Sequence, residues 1–126
     1  MIAQLAGKSW VHMLGAFLMM GGWAFWANSA HTMPKPLIAA AIQGTLSAGI
    51  TFGLKRTVEA LAAQLEGLAA LVVPPLVAFA ISLIGLSTIH WLGGTPEIWA
   101  TIALPMTVAT LYATVYNWIQ WRWRRS

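Results

Sequence analysis

Residues 10–28, 36–54, 68–92 and 98–120 form four long apolar stretches without a single Asp, Glu, Lys or Arg inside them. A helix rises 1.5 Å per residue, so about 20 apolar residues carry it across a hydrocarbon core of about 30 Å. Each stretch approaches or exceeds that length. Charge is costly in hydrocarbon, whereas a soluble chain has no reason to exclude it four times over. The expected fold class is therefore all-α: a polytopic membrane protein with four transmembrane helices in two antiparallel hairpins. Once the spans are counted, no segment remains for a separate soluble domain, so residues 1–126 are read as one domain.

Composition agrees, with 59% hydrophobic and 8% charged residues against about 25% charged in soluble domains. The absence of cysteine excludes disulfides, thiolate metal sites and a cysteine nucleophile. Lys8, the first apolar run and Ala27-Asn28-Ser29-Ala30 have the outline of a secretory signal peptide. Trp23, Phe25 and Trp26 crowd the cleavage region and the basic segment is one lysine, so a retained span is expected.

The basic residues sort by side. Lys8, Lys55, Arg56, Arg122, Arg124 and Arg125 fall on one face of the membrane and Lys35 on the other, which predicts cytoplasmic N- and C-termini (N-in/C-in). Trp10, Trp26, Trp91, Trp99, Trp118, Trp121 and Trp123 cluster near span ends, at head-group depth. The expected location is a bacterial inner membrane, multi-pass. The expected partners are the bilayer itself, anionic lipid head groups at Arg122, Arg124 and Arg125, and either a second copy or a larger membrane protein. A net charge of +4 placed at span ends is not a nucleic-acid footprint.

The connections at 28–35 and 93–97 are short and rich in Pro and Gly, as hairpin turns require. The connection at 55–67 differs. Val58, Leu61, Leu65 and Leu68 recur at helical spacing, and Lys55 and Glu59 form an i,i+4 pair of opposite sign. The pattern predicts a helical extension or an amphipathic interfacial segment.

Small and polar residues also recur at helical spacing inside the spans: Gly15, Met19 and Gly22 in the first; Gln43, Ser47 and Thr51 beside Gly44 and Gly49-xxx-Gly53 in the second. The third has Ala78, Ser82 and Gly85 leading to Thr88, and the fourth Thr107, Thr110, Thr114 and Asn117. Small residues let membrane helices approach closely, and hydroxyls and amides bond across them. On that ground Gln43, Ser47, Thr51, Ser82, Thr107, Thr110, Thr114 and Asn117 are candidates for interhelix contacts or for a polar path. Gly49 and Gly53 are expected to face another helix. Pro74-Pro75 and Pro105 each remove a backbone donor and free a carbonyl one turn earlier.

Chemistry is sparsely encoded. His31, His90 and Glu97 are expected together as a polar cluster at the outer face, with His12 at the inner one. Met19, Met20 and Met33 add soft donors, but no metal-ligand spacing occurs, and no metal or cofactor is expected. Glu59 and Glu66 lie seven apart and could share a helical face. No His–acid pair accompanies a serine or threonine, so an enzyme, such as one acting on lipids, is a distant reading. The leading expectation is a small transport- or flippase-type protein for a neutral or lipid-linked solute, acting as an oligomer. No acidic or basic group at mid-span suggests proton coupling. The alternative is a non-catalytic accessory subunit or assembly factor. Gln43 separates them: a solute path needs water-accessible volume beside its amide, and a dry contact favours the accessory reading.

Overall fold

The structure, a computed structural model, describes residues 9–125. It contains four α-helices: α1 (Ser9–Ala27), α2 (Lys35–Gln64), α3 (Gly67–Leu92) and α4 (Ile98–Arg125). No strand occurs among the described residues. Lys8 and the side chain of Thr51 lie outside what is described. Helices α2, α3 and α4 are each long and apolar enough to cross a membrane. The α1 helix has 19 residues, among them His12, three Trp and three Gly, and is not one of these three.

Helix limits follow local chemistry. Pro36 sits in the first turn of α2, where a missing N–H costs nothing. The segment 55–64 is no separate interfacial element. It continues α2, because nothing between Leu54 and Gln64 breaks a helix and Leu54, Val58 and Ala62 keep one buried line at i,i+4 spacing. The helix stops at Leu65, which is extended, and α3 starts at Gly67 with φ +62°. Glu66 therefore lies in the turn and shares no helix face with Glu59. At the far end of α3, Gly94 takes φ +75°. Its N–H bonds the Trp91 carbonyl at 3.2 Å and the Thr95 N–H bonds the His90 carbonyl at 3.0 Å, a Schellman C-cap.

Packing runs along i,i+4 lines. In α3 the buried residues are Ala70, Pro74, Ala78, Ser82, Leu86 and His90. The inward face of α4 is Thr101, Ile102, Pro105, Met106, Ala113 and Asn117. Two apolar clusters fill the interior: Leu54, Val58, Ala78 and Ala113 toward one end, and Leu86, Ile102 and Met106 toward the other. Helices α1 and α2 approach each other closely. A Cβ at Gly21 would lie 3.0 Å from the Ala40 carbonyl oxygen, and one at Gly44 would lie 3.0 Å from that of Phe17.

Other glycines behave differently from expectation. A Cβ at Gly49 or Gly53 meets nothing within 4 Å, so neither glycine contacts another helix of this chain. Gly22 and Met19 of α1 are exposed, and its buried residues are Met20, Gly21 and Ala24, with Asn28 buried just past its end. The small-residue line on α1 was one residue out of phase with the packed face.

Candidate functional site

Three polar contacts tie the helices together, and Pro, Gly and Asn place each of them. Pro74 and Pro75 supply no N–H to the carbonyls of Ala70 and Leu71, which in an unbroken helix would be bonded one turn on. Asn117 of α4, fully buried, donates through its Nδ2 to both: 2.9 Å to the Ala70 oxygen and 2.8 Å to the Leu71 oxygen. A single amide thus satisfies two acceptors exposed by the proline pair. Its own Oδ1 is buried without a partner.

The second contact is centred on His90, in the last turn of α3. The Schellman turn carries Thr95 back so that its Oγ1 lies 2.7 Å from His90 Nδ1. On the other side His90 Nε2 lies 2.8 Å from Gln43 Oε1, and Gln43 Nε2 donates to Ser47 Oγ at 2.8 Å. With the Gln43 nitrogen turned to Ser47, its oxygen must accept, so the imidazole carries its proton on Nε2. Nδ1 then accepts from the Thr95 hydroxyl. Gln43 and His90 are both 0% exposed.

The third contact joins the hairpin turns. Asn28, buried at the end of α1, donates to the Ala24 carbonyl at 2.8 Å and to Thr101 Oγ1 at 2.7 Å. Its Oδ1 accepts the backbone N–H of Glu97 at 3.0 Å, capping the start of α4. Beside it His31 Nε2 donates to Glu97 Oε1 at 3.0 Å, an ion pair when the imidazole is protonated. Trp23 Nε1 bonds the Ala100 carbonyl at 2.9 Å. At the opposite end of the molecule Trp121 Nε1 bonds the Gly67 carbonyl at 2.9 Å, and the Tyr116 hydroxyl donates to Glu59. Glu59 is thus held by Tyr116, and no Lys55–Glu59 ion pair forms.

Of the candidates read from sequence, Gln43, Ser47, Ser82 and Asn117 are buried. Thr107 and Thr114 are exposed, and the Thr107 hydroxyl bonds the Ala103 carbonyl of its own helix. Thr110 is partly buried and its hydroxyl has no partner. His31 and Glu97 meet as expected. His90 does not join them, since it faces inward to Gln43. Met20 is buried while Met19 and Met33 are 67% and 60% exposed, so the sulfurs do not converge. Among the described residues no three His, Asp or Glu groups gather as a metal site. Asn28, Thr95 and Thr101 are not among the site candidates read from sequence. Asn28 offered one signal, an amide at the last turn of a span, where it can bond freed carbonyls.

Gln43 does not line the recess that its partner Ser47 borders. That space, about 160 Å³ between α1, α2 and α4, is walled mainly by apolar residues such as Met20, Ile50 and Val108, with Ser47 and Tyr112 at its margin. No protein-family model, curated protein or solved structure matches the chain.

Proposed function

We propose that the chain is a non-catalytic subunit of a larger membrane assembly, with all four helices crossing a bacterial inner membrane as two antiparallel hairpins. One observation carries this reading. The buried amides and imidazole, Asn28, Gln43, His90 and Asn117, are engaged with neighbouring helices and turns, so they act as interhelical fasteners rather than as the wall of a solute path. The α1 helix, though less apolar, reaches about 28 Å at 1.5 Å per residue. It packs on α2 through Gly21 and Gly44, so it crosses with the others. A second reading, transport or flipping of a neutral or lipid-linked solute, draws on the recess beside Ser47.

The two readings differ in what the purified chain does alone. Reconstituted in liposomes, it is expected to leave fluorescent lipids and small neutral solutes on their own side. Purified from native membranes in mild detergent, it is expected to run at the size of a stoichiometric complex with a larger membrane protein. Movement of either probe by the chain alone would establish the transport reading instead.

Both termini are expected to be cytoplasmic, because Lys55, Arg56, Arg122, Arg124 and Arg125 gather at one side and Lys35 at the other. The chain has no cysteine, so single cysteines report topology cleanly. In intact cells an impermeant maleimide should label Thr32→Cys but not Gln64→Cys or Arg124→Cys. The reverse pattern would invert the topology.

A further inference from the structure

Gly49 and Gly53, which contact no other helix of the chain, border an open groove of about 390 Å³ between α2 and α3. Its walls include Thr45, Ile81, Ser82 and Gly85, and it runs along α2 as far as Thr57. No charged residue lines it. From Thr45 to Thr57 the groove extends about 18 Å at the helical rise per residue. One leaflet of hydrocarbon is about 15 Å deep. The groove therefore begins beside Arg56 of α2 and runs at least the depth of one leaflet, its α3 wall reaching Ile89 near the end of that helix.

Cations stand next to its Thr57 end, in a separate depression on α2. Arg56 lies seven residues from Gly49, on the same flank of α2, and its guanidinium sits 4.7 Å from the centroid of the Phe52 ring, one turn toward the membrane. Phe52, Lys55 and Arg56 edge a surface depression that also includes Glu59 and Ala60. Glu59 is turned to the Tyr116 hydroxyl, and neither Lys55 nor Arg56 forms an ion pair. Two cations without an ion pair beside the end of a charge-free groove match one kind of molecule.

We propose that the α2–α3 groove binds an anionic diacyl phospholipid, one chain lying over Gly49 and Gly53 and the phosphate held by Arg56 with Lys55. A guanidinium offers the phosphate two parallel donors, and a hydrocarbon chain fills the space that the missing glycine side chains leave. A transmembrane helix of a second copy or of another protein is the competing occupant. Ser82 distinguishes it: this residue is 6% exposed, lines the groove, and makes no hydrogen bond among the described residues. A docked helix would depend on that hydroxyl, whereas a lipid chain gains nothing from it.

The test is native mass spectrometry of the full chain released from nanodiscs containing equal phosphatidylglycerol and phosphatidylcholine. Phosphatidylglycerol should be retained preferentially. Each basic residue at an anionic surface contributes about 1 kcal/mol, or roughly fivefold. Arg56→Gln should therefore lower phosphatidylglycerol retention about fivefold and leave phosphatidylcholine unchanged. Gly53→Leu, which has open space for its side chain, should displace both lipids. Ser82→Ala should change neither, and Arg124→Gln, at the same membrane face but on α4, should lower phosphatidylglycerol retention less than Arg56→Gln does. Equal retention of the two lipids, an Arg124→Gln loss matching that of Arg56→Gln, or indifference to Gly53→Leu would overturn the site. So would a dimer or a stoichiometric protein adduct that disappears in Gly53→Leu or Ser82→Ala.

Discussion

Replacing Asn117 by Leu is expected to destabilise the fold by about 2–3 kcal/mol, among the largest effects of any single polar substitution in the bundle. Each buried carbonyl left unbonded costs about 1–3 kcal/mol. Asn117→Leu strands two, those of Ala70 and Leu71. Loss of its own unpaired Oδ1 offsets part of that cost. Thr110→Val, which removes a buried hydroxyl with no partner, should be neutral within about 0.5 kcal/mol or slightly stabilising. Both are measurable by reversible SDS titration in dodecyl maltoside micelles, read by circular dichroism. The cause can be isolated by returning the missing donors. In a Pro74→Leu, Pro75→Leu background the backbone can bond Ala70 and Leu71 itself, so Asn117→Leu should cost less there. Equal costs in the two backgrounds would sink the explanation.

Gln43→Leu is expected to cost about 2 kcal/mol, more than a single hydrogen bond within a membrane protein, where the mean is about 0.6 kcal/mol and the maximum about 1.7. The reason is that two groups lose a partner at once: the Nε2–H of His90 and the hydroxyl of Ser47. His90 is fully buried, so no water replaces the lost acceptor. Removing both partners is gentler than removing one. Gln43→Leu combined with His90→Leu should recover part of the loss, giving a coupling of about 1–2 kcal/mol in a double-mutant cycle. Additive losses would mean that the contact contributes little. The same variant bears on function. If assembly with a partner fails only to the extent that the monomer unfolds, Gln43 serves the fold; if solute movement falls while the folded protein persists, the transport reading regains its best residue.

Exclusion of charge pointed to the helical class and the approximate positions of the helices and turns, because hydrocarbon leaves no backbone donor or acceptor unbonded and each residue's charge is visible without any neighbour. Proline and glycine punctuation likewise announced the start of α2, the turn after α3 and the carbonyls freed by Pro74-Pro75. Gln43 stood out for the same local reason, an amide deep in an apolar run. Helical phase was less legible. Where almost every residue is apolar, sequence does not distinguish a face toward lipid from a face toward another helix, since both are hydrocarbon-like. Met19 and Gly22 of α1 and the Thr107, Thr114 pair therefore looked inward but face out. Pairing was not legible at all. That Asn117 reaches the carbonyls of α3, that His90 meets Gln43 across 47 residues, and that Gly21 and Gly44 rather than Gly49 and Gly53 meet inside the bundle depends on how the helices are rotated and set against one another. Only the tertiary structure decides that, because the energy of each contact belongs to two distant residues together and to neither alone.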